Sequence, residues 1–126
     1  MHWSQHYIGN PYDEANDCAA FAERVQREVF DREVHLPSER AEGLRGQTAQ
    51  IRACVDCHGE LTELPADGDA VLLIGRGRLN HIGIYCLING VPYVLHAMKS
   101  AGQVVLHKVR ELDRHGLTIE GFYKWR

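Results

Sequence analysis

Apolar positions early in the chain recur at helical spacing. Phe21, Ala22, Val25 and Val29 form one stripe, and Cys18 falls on the same stripe a turn earlier. Asn16 or Asp17 stands where the first turn needs a capping acceptor. The pattern predicts a helix from this cap to about Phe30. The stretch from Asp31 to Pro37 breaks it, with Pro37 as the clearest stop. Ahead of the helix, Gly9-Asn10-Pro11 reads as a turn. Behind it, Ser38 to Glu42 predicts a short second helix, interrupted by Gly43 and Gly46, and Gln47 to Val55 a third.

From Leu64 the pattern changes to strands. Asp67-Gly68-Asp69 reads as a turn, and Ala70 to Ile74 as a buried strand. Gly75-Arg76-Gly77-Arg78 is a basic, glycine-rich turn whose spacing fits no phosphate-binding fingerprint. His81 to Ile88 and Val91 to Ala97 flank Asn89-Gly90, the strongest short hairpin signal. Gln103 to Val109 and Ile119 to Trp125 complete the sheet. Helices come first and strands follow, which predicts an α+β domain with a mostly antiparallel sheet.

Composition narrows the function classes. At 126 residues the chain is read as a single domain, 1–126, with one core. The net charge is −3 and no dense basic run occurs, so neither nucleic acid nor an anionic membrane is the expected partner. No apolar run approaches the length of a membrane span. The opening Met1-His2-Trp3-Ser4-Gln5-His6 lacks a basic region followed by an apolar core, so no signal peptide is expected and synthesis in the cytosol is. The four cysteines are then expected as thiols rather than disulfides. Eight histidines are many for this length and point to metal or acid–base chemistry.

Taken alone, Cys18 reads as a small core side chain. Its place at a helix start also exposes it to the positive end of the helix dipole, which favours the nucleophilic thiolate. A two-residue turn at Asn89-Gly90 pairs Ile88 with Val91, and so sets Gly83 opposite His96 and His81 opposite Met98. His81 and His96 then leave the same face as diagonal neighbours, about 7–8 Å apart at Cα. Gly83 leaves space beside the two rings. A thiol nucleophile needs an imidazole base, and that base needs an orienting group. His81 is the candidate base and His96 the candidate orienter.

These residues resemble the NlpC/P60 superfamily of papain-like cysteine peptidases. The resemblance runs along nearly the whole chain: Gly9-Asn10-Pro11-Tyr12, Asp17-Cys18, Gly68-Asp69-Ala70-Val71, His81-Ile82-Gly83-Ile84-Tyr85, Leu95-His96-Ala97 and the ending Gly121-Phe122-Tyr123-Lys124-Trp125-Arg126. It implies a papain-like fold, with the Cys18 helix packed on a five- to six-stranded antiparallel sheet carrying His81 and His96. It implies a hydrolase, a thiol protease that degrades cell wall by cleaving amide bonds in peptidoglycan stem peptides, typically next to D-γ-glutamyl. The nucleophile's own amide would help form the oxyanion hole, and Tyr12 and Asp17 would line the substrate cleft. No cofactor and no metal are implied. Ala19-Ala20 depart from the Ser-Gly that often follows the Asp-Cys pair, where the serine helps hold substrate. The compact chain and the Tyr7-to-Tyr12 opening are similar to peptidases of bacteriophage tail gene clusters. That setting implies a place in the virion tail tip, among other tail-tip proteins.

Other readings carry their own signatures. Cys54-Val55-Asp56-Cys57-His58 matches the C-x-x-C-H haem attachment pattern. Cys54, Cys57 and His58, with His35 as a fourth ligand, would instead suit zinc, although no second Cys pair is present. A structural tail protein whose peptidase site is silent or occluded is a further alternative. A thiol acyltransferase acting on lipid is another, one that the lack of a long apolar segment disfavours.

Overall fold

The computed structural model describes residues 2–12, 17–34, 59–75 and 77–125. The helices expected at 38–42 and 47–55, Asn16, and the set His35, Cys54, Cys57 and His58 lie outside the described residues. One α-helix, α1 (Cys18–Phe30), precedes six strands: β1 (Gly59–Thr62), β2 (Ala70–Gly75), β3 (Arg78–Ile88), β4 (Val91–Met98), β5 (Gln103–Lys108) and β6 (Leu117–Trp125). Short three-ten turns occupy Trp3–His6, Lys99–Ala101 and Val109–His115. The chain is therefore α+β, and its single sheet runs β1-β6-β2-β3-β4-β5 with every neighbouring pair antiparallel. No helix among the described residues is long and apolar enough to cross a membrane.

Asp17 caps α1: Oδ1 accepts from the Ala20 amide at 2.9 Å. The helix stops at Asp31, ahead of Pro37, because Asp31 turns left-handed (φ 54°) and its N–H reaches back to the Gln26 carbonyl. The expected stripe is the buried one. Cys18, Phe21, Ala22 and Val25 pack with Ala70 and Leu72 of β2, Ile82 and Ile84 of β3, and Leu95 and Ala97 of β4. The opposite face holds a second cluster of Val71, Leu73, Tyr85, Val94 and Leu112, closed over by the Val109–His115 turn. Strand alternation thus feeds two cores from one sheet.

The direction of α1 matters for the site. Near its C-terminal end, Gln26 Nε2 donates to the Gly68 carbonyl at 3.0 Å, and the Gly68 amide donates to the Tyr85 carbonyl at 2.8 Å. Gly68 (φ +96°) lies directly on the Phe30 ring, where an added Cβ would stand 2.4 Å from Cζ. Towards the helix start, Phe21 meets the Tyr7 ring edge-on at 5.6 Å. Two residues beyond Tyr7, the Gly9 amide donates to the Val104 carbonyl at 2.9 Å. Val104 pairs with Ala97. The helix therefore points its N-terminus at the end of β4 that carries His96.

The Asn89-Gly90 hairpin forms as expected. Both residues have positive φ (52° and 78°), and Ile88 pairs with Val91. Elsewhere the strands differ from expectation. The sheet begins before Leu64, with β1, whose four residues are too few to carry an alternating signal and leave Leu61 exposed. Gly75 and Arg78 are paired strand ends rather than turn residues, so the basic loop is shorter than expected. Strand β5 stops at Lys108, and Val109 opens the three-ten turn. The segment from Gly9 is only partly a turn, because Pro11 bridges to Gln103.

Candidate functional site

The histidines expected on one face are brought together. His81 Nε2 lies 2.7 Å from His96 Nδ1, with the rings edge-on at 74°. The β3–β4 ladder supports them without extending between them: it runs from Ile88–Val91 to Ile84–Leu95 and ends one pair short of Gly83. Beyond that point His81 is paired to Leu73 on β2, and His96 to Val105 on β5. A register shift between Leu73 and Ile74, opposite Asn80, marks a bulge directly before His81.

Gly83 makes this approach possible. A Cβ there would stand 2.5 Å from Val94 Cγ1 and 3.2 Å from His96 Cβ. Gly83→Ala is therefore expected to cost about 1–3 kcal/mol as an overpacked core position, and to push His96 off His81. Urea unfolding together with the ring NMR signals of the two histidines checks both effects.

The chain of imidazoles extends beyond the expected pair. His96 Nε2 lies 3.1 Å from His107 Nδ1, and the His107 ring stacks on His115 at 3.8 Å and 7°. His107 is opposite Val94 on β5, so it shares the face of His81 and His96. His115 ends the Val109–His115 turn. No part of His96 is exposed. Burial first, and then the neighbouring His81, His107 and His115, push its pKa down to about 2. It is a neutral imidazole throughout the ordinary pH range. Burial and His115 also lower His107, against an opposing pull from Glu111.

Cys18 is 3% exposed at the first position of α1. Gln26 to Cys18 covers about 12 Å of helix, and Tyr85 to His81 about 13 Å of strand. With Gln26 anchored beside Tyr85, Cys18 reaches the end of the sheet that carries the histidine pair. It belongs to the same buried cluster as Leu79 and Ile82, the residues flanking Asn80-His81. The helix and the imidazoles lie on opposite faces of the sheet, towards the same end, where β3 is bulged and its ladder to β4 has stopped. Asp17 is buried, with its carboxylate serving as the helix cap. Tyr12 is half-buried, and its amide donates to the Gly102 carbonyl at 2.9 Å.

Cys86 is a different kind of thiol. It is fully buried in the α1-side core, and desolvation pushes its pKa well up. Cys86, His2 and Asp67 present their ligand atoms within 4.8 Å of one another. The hydrogen bonds nevertheless argue for a clasp rather than a metal site. His2 Nδ1 accepts from the Ser4 amide at 3.1 Å, which puts the ring proton on Nε2. Nε2 then donates to Asp67 at 2.9 Å, and Asp67 also accepts from Trp3 Nε1 and the Leu87 amide. A metal would need the Nε2 lone pair that this tautomer lacks.

Fold and site together define an α+β domain with a buried cysteine at a helix start and, towards the same end of the sheet, a chain of imidazoles centred on the buried His96. The chain matches no family model, no curated protein and no solved structure.

Proposed function

We propose that this chain is a papain-like cysteine peptidase of the NlpC/P60 kind. On this reading it hydrolyses amide bonds in peptidoglycan stem peptides and works in a bacteriophage tail tip, beside other tail-tip proteins, during wall penetration. The observation that carries the reading is the 2.7 Å contact between His81 Nε2 and His96 Nδ1 at the end of the sheet to which α1 directs Cys18.

The chemistry follows from these positions. His81 Nε2 is committed to His96, so proton exchange with the thiol runs through Nδ1. His81 takes the Cys18 proton, and the thiolate attacks the amide carbonyl. The oxyanion forms at the positive end of α1, where the Cys18 backbone amide is the donor. The C–N bond breaks as His81 returns the proton to the leaving amine, and a thioester remains. His81 then deprotonates a water, which attacks the thioester, releases a carboxylate and restores the thiol. His96 holds His81 in its working tautomer. Tyr12 and Asp17 border the cleft, with Asp17 also fixing the helix start.

Digestion of purified peptidoglycan followed by mass spectrometry tests the proposal. Stem peptides should appear with one amide hydrolysed, and the fragment identifies the bond. Intact stems after exhaustive digestion overturn it. The near-complete burial of Cys18 favours one second reading, a structural tail protein whose site is occluded. Iodoacetamide separates the two, since an open site is alkylated at Cys18 well before Cys86.

A further inference from the structure

We infer that His107 is a positioning residue for His81, acting through His96. Its Nδ1 accepts the His96 Nε2 proton and so fixes the tautomer of both rings. The coupling of the three rings rests on geometry, and the choice of tautomer and its effect on rate rest on the peptidase reading.

His96 lies between two ring nitrogens, His81 Nε2 at 2.7 Å and His107 Nδ1 at 3.1 Å. A neutral imidazole has one N–H and one lone pair, so it donates on one side and accepts on the other. Two arrangements satisfy both contacts. In the first, His81 Nε2–H donates to His96 Nδ1, and His96 Nε2–H donates to His107 Nδ1. In the second, every proton is moved along: His107 Nδ1–H donates to His96 Nε2, and His96 Nδ1–H donates to His81 Nε2. Only the first leaves a lone pair on His81 Nδ1 to take the thiol proton. The second places the proton of a neutral His81 on Nδ1, and the base is disabled without any atom leaving its place.

His107 chooses between them. When it is neutral with its proton on Nε2, it imposes the productive arrangement. When doubly protonated it can only donate, and it imposes the other. The groups that face it are His96 from β4, and His115 and Glu111 from the Val109–His115 turn. The His115 ring covers it at 3.8 Å, and a cation on either ring disfavours one on the other. Burial and the neighbouring His115 ring lower the pKa of His107, and acid strong enough to protonate it switches the site off.

Two variants and two readouts test this. The Oδ1 of His107→Asn can replace Nδ1 as an acceptor and does not titrate. His107→Leu keeps the volume and removes the acceptor. Nitrogen–proton NMR of the His96 ring at pH 7.5 should place the proton on Nε2 in the wild type and in His107→Asn. Hydrolysis of purified peptidoglycan should stay within about threefold in His107→Asn and fall at least about tenfold in His107→Leu. The acid limb of the wild-type profile should weaken in His107→Asn. A purely structural role predicts equal pH profiles for all three proteins, and that result overturns the inference. A proton on His96 Nδ1 in the wild type overturns it whatever the activity. A proton on Nε2 with no cleavage by any form overturns the peptidase reading and leaves the tautomer assignment standing.

Discussion

Cys18→Ala is expected to abolish hydrolysis of purified peptidoglycan, by at least about 10⁴-fold, while leaving the domain folded. Losing the nucleophile of a coupled set removes covalent catalysis altogether, and what remains is the background from binding and the oxyanion donor. The structural cost is small. Cys18 sits at the first position of α1, whose cap is supplied by Asp17 and whose stripe is filled by Phe21, Ala22 and Val25. Removing one sulfur from that stripe costs about 1 kcal/mol as a small cavity. Cys18→Ser makes a stricter comparison, because it keeps the shape and replaces the thiol by a hydroxyl that His81 cannot readily deprotonate. Both variants should show native circular dichroism and a nearly unchanged urea midpoint. A Cys18→Ala protein that cleaves at the wild-type rate removes Cys18 from the mechanism.

Acid should unfold this domain through His96. In the unfolded chain an imidazole titrates near 6.5, whereas in the fold His96 is pushed down to about 2, chiefly by burial. Between those values the unfolded state binds a proton that the folded state refuses. The stability is therefore fully present above about pH 6.5 and is lost as pH falls towards the folded value, at about 1.4 kcal/mol for each pH unit. His107 is lowered in the same direction and adds to the slope. Urea midpoints measured between pH 7.5 and 4.5 should fall steadily in the wild type. In His96→Asn the slope should shrink by close to one proton, even though that variant starts from a lower stability at pH 7.5. Equal slopes in the two proteins would mean that His96 is not held neutral by the fold.

The hairpin and the helix were legible for local reasons. Asn89-Gly90 encodes two positive φ angles, and that fixes the register which sends His81 and His96 to one face. The α1 stripe is a helical period with a capping residue in front. The outward extension to His107 and His115 was not legible. It depends on the β4–β5 register, and the connection Lys99–Ala101 is a three-ten turn with no residue signature that sets a pairing. Nor could local pattern place β6 between β1 and β2, because that pairing joins segments about fifty residues apart in the chain. Gln26 was not legible for a different reason: periodicity reads it as a surface position, yet it is completely buried, with Nε2 donating to the distant Gly68 carbonyl and Oε1 accepting from Arg32.

The strap that leads to the helix also has a bearing on solubility. Strand β5 is the last of the sheet, and an open last strand offers its backbone to any passing chain. Here the Gly9 and Tyr12 amides donate to the carbonyls of Val104 and Gly102, and the Val104 amide donates to the Asn10 carbonyl. Pro11 sits in the middle of this strip with no amide to offer. The strip therefore occupies the start of the β5 edge and presents outward a residue that cannot pass the pairing on. The segment that brings the chain to its cysteine is also what blunts that edge against self-association.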